Sequence, residues 1–143
     1  MRRHFAGDKA DLCSIVNARS GICPEDCRFC VQSSRYQTES PVYPMKTTGE
    51  ILKAARLAEA AGAHRFCIVT SGGALDNRDF DAVLATLGHI GEETGLKRCA
   101  SIGWLDRERA ERLKAAGLDR YHHNIETARG FFGSVCTTHS YDD

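Results

Sequence analysis

The sequence predicts an α/β fold of parallel strands alternating with helices, and three observations carry that prediction. Short apolar or β-branched runs at residues 12–18, Arg65–Thr70 and 97–102 alternate with stretches of helical periodicity. The changes of state fall at short glycine-marked turns, which favour parallel pairing through right-handed crossovers. Two phrases, EAAGAHRF and KAAGLDRY, are near copies at the helix-to-strand turn, so one unit is used again rather than a mixed sheet.

Taken in order, residues 12–18 (LCSIVNA) form a short apolar run that stops at the polar Arg19, Ser20 and Gly21. This is a buried strand whose C-terminal tip delivers the loop that follows. Residues 32–44 are polar, and Pro41 and Pro44 exclude regular helix, so this stretch is a long connection. Thr47 and Glu50 make a capping box for an alanine-rich helix through Ala61, stopped by Gly62. RFCIVT is the second strand, broken by Ser71, Gly72 and Gly73. From Asp76, residues Phe80, Val83, Leu84, Leu87 and Ile90 recur at helical spacing, with Gly95 as the stop, although Gly88 and Gly91 weaken the last turns. Residues 97–102 are the third strand, closed by Gly103. Asp106 caps a helix carrying Ala110, Leu113 and Ala116 with Gly117 behind it, and a fourth strand is expected through about Ile125. From Thr127 the pattern is ambiguous. Four strands are half of an eight-stranded barrel, which takes about 250 residues. The pattern by itself leaves a small doubly wound sheet open.

At 143 residues with 42% hydrophobic content, the chain is sized for one domain with a real core. Nineteen basic and nineteen acidic residues cancel without a basic stripe, which excludes the electrostatic footprint of a nucleic-acid binder. The sequence contains no apolar run of signal-peptide or membrane-spanning length, and the expectation is a cytoplasmic protein without a membrane partner. Seven cysteines, an odd number, favour metal or redox chemistry over a disulfide framework.

Those cysteines point to the stretch around which the chain is organised, CPEDCRFC from Cys23 to Cys30. Three thiols spaced C-x3-C-x2-C can close around one inorganic centre from a single loop. Iron-sulfur clusters usually take four cysteine thiolates, and here only three are local. An iron left open by the protein can bind and activate a small molecule. The same spacing admits a structural zinc site, although the second C-x2-C clip is missing, and it admits unliganded thiols packed as small hydrophobes. The other polar clusters fall at C-terminal strand ends, where a barrel puts its chemistry: Ser71–Gly73, Ser101–Trp104 and His122–Glu126. In YHHNIET, a continuing strand would set His122, Asn124 and Glu126 on one face. Their burial there would demand a polar ligand, water or a satisfied network. Cys67 and Cys99 lie mid-strand at similar depth. By themselves they read as core cysteines, yet adjacent parallel strands about 4.8 Å apart could let both reach one centre.

With Phe29 before its last cysteine, CPEDCRFC resembles the signature of the radical S-adenosylmethionine enzymes. The flanks SIVNARSG and VQSSRY narrow the likeness to the biotin synthase family, and it extends through FC at Cys67, RC at Cys99 and YHHNIET. The resemblance implies a radical SAM type TIM-like (β/α) barrel, present as about four βα units. It implies that Cys23, Cys27 and Cys30 hold a 4Fe-4S cluster whose open iron chelates S-adenosyl-L-methionine. Phe29 would lie near the adenine, Ser71 and Gly72 against the methionyl part, and Asn124 and Glu126 near the ribose, with His122 and Asn124 toward the substrate. Family members often carry asparagine where this chain has His122. Cys67 and Cys99 would ligate a 2Fe-2S cluster regarded as the sulfur donor, while Cys13 and Cys136 are read as structural. The implied activity is sulfur insertion into dethiobiotin by 5′-deoxyadenosyl radical chemistry, in a homodimer supplied with electrons by a flavodoxin or ferredoxin.

Two other functions compete. Another radical enzyme, of the hydrogenase-cluster maturase or methylornithine synthase type, should not need both Cys67 and Cys99. A noncatalytic iron-sulfur electron carrier would not respond to S-adenosylmethionine. Relative to the family, residues 1–143 are expected to be a single partial core domain truncated at both ends. It lacks an N-terminal helical extension, half the barrel, and the later cysteine and arginine that complete the second cluster. The chain alone is therefore expected to be inactive in biotin formation.

Overall fold

A computed structural model describes residues 2–8 and 10–143. A short helix α1 (Arg2–Ala6), which the sequence pattern did not announce, precedes the first strand β1 (Cys13–Arg19). There follow α2 (Thr48–Ala60), β2 (Arg65–Thr70), α3 (Asn77–Glu93), β3 (Lys97–Ser101), α4 (Arg107–Ala115) and a two-residue β4 (Arg120–Tyr121). The ambiguous end resolves into a 3-10 turn (Arg129–Phe131) and a short helix α5 (Phe132–Val135).

All strand pairs are parallel, and the sheet order is β1-β2-β3-β4. Each strand is laid down beside its predecessor without the reversal that marks a doubly wound sheet, which is the progression of a barrel wall. The fold is therefore α/β, four strands of a TIM-like barrel with three intervening helices.

The capping box at Thr47 and the cap at Asp106 form as the sequence predicts, and Asp76, where the helical spacing begins, adds a third cap. Thr47 Oγ1 accepts from the Glu50 amide at 3.3 Å while Glu50 Oε2 accepts from the Thr47 amide at 2.8 Å, closing the box that starts α2. Asp76 and Asp106 cap α3 and α4 through the Asp79 and Arg109 amides at 2.8 and 2.7 Å. The two near-copied phrases make one and the same turn. Gly62 and Gly117 have φ of 85° and 83°, and the next amides, of Ala63 and Leu118, reach back to Ala58 and Leu113 at 3.0 Å. That is the Schellman geometry, which needs a residue free of Cβ at the left-handed position.

One face of the sheet packs on the helices. Val16, Ala18, Phe66, Ile68, Ala100 and Ile102 interlock there with Ile51, Ala55, Phe80, Val83, Leu87, Ile90 and Leu113. The alternate residues, among them Cys13, Ile15, Cys67, Val69, Cys99 and Ser101, face the other way, toward the barrel interior. No helix among the described residues is long and apolar enough to cross a membrane.

One expectation fails. The fourth strand does not run to Ile125 but stops at Tyr121, whose partner in β3 is Ala100. The Tyr121 hydroxyl donates to the Gly103 carbonyl and accepts from the Ile102 amide at 3.3 Å, fixing the strand end against the turn that leaves β3. His122 still donates to Ala100 O at 2.8 Å, but Glu126 has φ of 67°, which extended backbone does not allow. The shared face deduced for His122, Asn124 and Glu126 therefore does not exist. All three are exposed rather than buried.

Candidate functional site

β1 hands over to the cysteine loop through two consecutive left-handed residues, Gly21 with φ of 78° and Ile22 with φ of 53°. A β-branched residue at positive φ costs energy and persists only where its surroundings enforce it. Here they do. Gln32 Oε1 accepts from the Gly21 amide at 2.5 Å and from Ser20 Oγ at 2.9 Å, while a Cβ on Gly21 would sit 2.6 Å from the Val42 side chain.

The flank VQSSRY staples the loop shut. Cys23 donates to Gln32 O at 3.0 Å and Ser34 donates to Cys23 O at 2.8 Å. Ser33 Oγ donates to Glu25 O at 2.5 Å, Arg35 Nε to Pro24 O at 2.8 Å, and the Tyr36 hydroxyl to Asp26 O at 2.6 Å. A second clamp comes from the far end of the chain. The Asp26 carboxylate accepts from the Thr137 amide at 2.8 Å and hydroxyl at 2.5 Å and from the Thr138 amide at 3.2 Å, and the Arg28 amide donates to Val135 O at 3.0 Å. Hydrogen bonds from the Thr137 hydroxyl and amide hold the Asp26 carboxyl well below the usual carboxylate range.

Cys23, Cys27 and Cys30 all line one cavity of about 500 Å³ at the C-terminal ends of the strands. Phe29, Ser71, Gly72, Asn124 and Glu126 line the same cavity, and His122 does not. Burial pushes the Cys23 thiol up, an effect partly offset by hydrogen bonds from the Glu25 and Gly72 backbones. Burial also pushes the Cys27 thiol up to about 12, with a further push from its hydrogen bond to Cys136. Ser71 Oγ is turned to Gly21 O at 2.8 Å, and the Ser71 carbonyl accepts from the Arg19 guanidinium at 2.5 Å, so this residue ties the β2 end to the cysteine loop. Gly72 has φ of 98°, and a Cβ there would meet that guanidinium at 2.7 Å. The neighbouring Thr70 also lines the cavity, and its buried hydroxyl has no hydrogen-bond partner among the described residues. An orphaned hydroxyl at a cavity wall is what a polar ligand would satisfy.

Cys67 and Cys99 stand below this cavity as direct register partners on β2 and β3, both buried. Burial pushes the Cys67 thiol up, and the hydrogen bond it shares with Cys99 adds to the effect. Cys13 is exposed on β1. Sequence reasoning missed the surroundings of Cys136, which is buried with its Sγ 3.2 Å from His139 Nδ1. The C-x2-H spacing of CTTH was the available signal. Trp104 and Phe132 pack edge-on against the His139 ring, with centroids 5.3 and 5.4 Å away, closing one side of the cavity with aromatic surface.

The family model described as the Radical SAM superfamily matches residues 18–143, and the chain belongs to that superfamily. Its likeness narrows further to biotin synthases. It is 53% identical over 143 residues to the biotin synthase of Pelotomaculum thermopropionicum, covering 100% of this chain and 44% of that protein. It is 49% identical over 137 residues to the biotin synthase of Acetivibrio thermocellus, covering 96% of this chain and 43% of that protein. The chain thus spans less than half the length of these relatives, matching their N-terminal part. Among solved structures, that of methylornithine synthase (PylB) superposes with a TM-score of 0.79 at 19% identity, covering 99% of this chain and 41% of that one, a likeness of fold.

Superfamily membership implies a four-iron cluster and S-adenosylmethionine, and the residues present fit both. The donors are soft sulfur, as iron-sulfur clusters require, and three converge from one stapled loop on a cavity with an unpaired polar wall group.

Proposed function

We propose that this chain is the cluster- and cofactor-binding part of a biotin synthase, an enzyme that inserts sulfur into dethiobiotin. The observation that carries this reading is convergence. The three loop cysteines share one cavity with Phe29, Ser71, Gly72, Asn124 and Glu126, residues that lie far apart in sequence. Identity near 50% to biotin synthases over the whole chain supports the same substrate class.

On this reading Cys23, Cys27 and Cys30 hold the four-iron cluster. When bound, that cluster supplies the electron for reductive cleavage of S-adenosylmethionine, the source of the hydrogen-abstracting radical. The protein's own work is positioning and exclusion. Phe29 offers an apolar ring beside the last cysteine, the Ser71–Gly72 backbone admits close approach, and Asn124 and Glu126 supply polar contacts. Trp104 and Phe132 keep water from one side. His122, outside the cavity lining, is dropped as a substrate contact. Cys67 and Cys99, paired in register and buried, are the proposed ligands of a second, two-iron cluster from this part of the protein, which a methylornithine synthase reading leaves without a role. A flavodoxin or ferredoxin is the proposed electron donor, and the whole enzyme is proposed to be a homodimer.

The test joins this chain to the remaining C-terminal part of the Pelotomaculum protein and assays the reduced, reconstituted product with S-adenosylmethionine and dethiobiotin. Biotin from the joined protein, none from the chain alone, and none from a joined protein carrying Cys27→Ala is the expected result. A joined protein that binds its cluster and cleaves S-adenosylmethionine yet leaves dethiobiotin untouched would overturn the substrate assignment.

A further inference from the structure

The cluster reading uses Cys27 but leaves Cys136 and His139 unexplained, although all three converge. Cys27 Sγ, Cys136 Sγ and a ring nitrogen of His139 lie within 4.8 Å of one another. We propose that Cys27, Cys136 and His139 form a site for a single soft divalent cation of the zinc class, overlapping the four-iron site at Cys27 so that the two metal centres exclude each other.

Two thiolates and an imidazole are a donor set that zinc takes tetrahedrally, with a fourth position left for water or another ligand. The geometry is in place before any metal arrives. Cys136 is 2% exposed, and its Sγ lies 3.2 Å from His139 Nδ1. Glu25 Oε2 lies 2.8 Å from that nitrogen and steadies the imidazole in the apo chain, so the fourth position is left to water. The side chains of His139 and Glu25 are each 14% exposed. The Asp26 clamp on Thr137 and Thr138 holds the two ligand-bearing segments together although they are more than a hundred residues apart in sequence. Coordination replaces the thiol protons of Cys27 and Cys136, released to solvent, and takes the Nδ1 lone pair of His139. The cation keeps its oxidation state, and no electron donor is needed.

Exclusion follows from Cys27 having one sulfur to give. The competition rests on the proposed cluster reading, whereas the cation site does not. In this arrangement the metal-free loop is open to zinc, and iron loading must displace or precede it.

The test is a cobalt(II) titration of the iron-free chain, followed by thiolate-to-cobalt charge-transfer and tetrahedral ligand-field absorption. One equivalent is expected to bind. Cys136→Ser and His139→Gln should each weaken it at least tenfold, while Cys23→Ala and Cys30→Ala bind as the parent chain does. Far-UV circular dichroism identifies any variant that has lost the fold, and the partly exposed His139 makes His139→Gln the informative one. Cobalt binding that needs Cys23 and Cys30 but not Cys136 or His139 would overturn the proposal and leave the cluster reading standing. In a second measurement, one equivalent of zinc(II) added before anaerobic iron and sulfide should slow cluster formation in the parent chain and not in His139→Gln. Equal slowing in both would refute exclusion through this site. If no cluster forms even without zinc, the cluster reading fails and the cobalt titration still decides the cation site.

Discussion

Two loops at the same end of the sheet, both lining one cavity, are held in opposite ways. The cysteine loop after β1 is stapled by VQSSRY and clamped again at Asp26 by Thr137 and Thr138. The segment His122–Glu126 after β4 is exposed, and its hydrogen bonds among the described residues are backbone ones, from His122 to Ala100 O and from Thr127 to Ile125 O, both 2.8 Å. A loop that must present three sulfurs to one centre gains from being preorganised, because ordering it on binding would cost affinity. A segment that only touches a diffusible cofactor can remain loose. Yet each carries one non-glycine residue at positive φ, Ile22 in the first and Glu126 in the second. Mutations can separate what holds each loop from what each loop binds.

The largest effect belongs to the stapled loop. Cys23→Ala, Cys27→Ala or Cys30→Ala should each leave the chain near background iron and sulfide after anaerobic reconstitution, because two local thiolates do not retain a four-iron cluster. Circular dichroism should change little, since the staples are backbone and flank hydrogen bonds rather than the thiols. Unchanged iron and sulfide in all three variants would remove the cluster from this loop.

Next comes the hinge of the same loop. Gly21→Val places a Cβ at φ of 78° and drives it into Val42, so a loss of roughly 2 kcal/mol is expected from the left-handed backbone cost alone, with overpacking adding to it. The matched control is Gly130→Ala, where a Cβ meets nothing within 4 Å; it should stay within about 0.5 kcal/mol of the parent. Urea midpoints decide between them. Equal midpoints would mean that the conformation at Gly21 does not matter.

The same contrast explains what was legible. Local chemistry read well, because a capping box, an N-cap aspartate and glycine C-caps specify structure within a few residues: Thr47, Asp106, Gly62 and Gly117 all do what their neighbourhoods dictate. YHHNIET read badly because the length of a strand depends on a partner and on tertiary ties. The Tyr121 hydroxyl reaching Gly103 and the turn at Glu126 leave no mark in an alternating pattern. The surroundings of Cys136, with His139 beside it, were missed for a related reason. The partners of these two residues, Asp26 and Glu25, are more than a hundred residues away, and CTTH alone does not say where it will land.

A smaller effect is expected in the loose segment. On the proposed reading, Asn124→Ala should weaken S-adenosylmethionine binding by about 1 kcal/mol, the net worth of a neutral hydrogen bond, and leave stability untouched. His122→Ala, outside the cavity lining, should change neither. Isothermal titration of the reconstituted protein measures both. If His122→Ala lost as much affinity as Asn124→Ala, the extended face deduced from sequence would describe the bound state better than the observed backbone does.

The smallest effect, and the one that divides strain from chemistry, is at Glu126. Its φ of 67° costs any residue bearing a Cβ about 1–2 kcal/mol, while glycine there gives back roughly 0.5–1 kcal/mol through the greater freedom of its unfolded chain. Glu126→Gly should therefore stabilise the protein by about 0.5 kcal/mol, and Glu126→Ala, which keeps the Cβ, should not. Both remove the carboxylate, so both should lose the same S-adenosylmethionine affinity, about 1–3 kcal/mol for a hydrogen bond to a charged group. Equal affinity losses with unequal stabilities would mean that the strained backbone is retained because it aims the carboxylate into the cavity. Unequal losses, with glycine the worse, would mean that the strain itself preorganises the loop. The segment would then be held by its own backbone rather than by partners, and the contrast with the cysteine loop would be one of means rather than of rigidity.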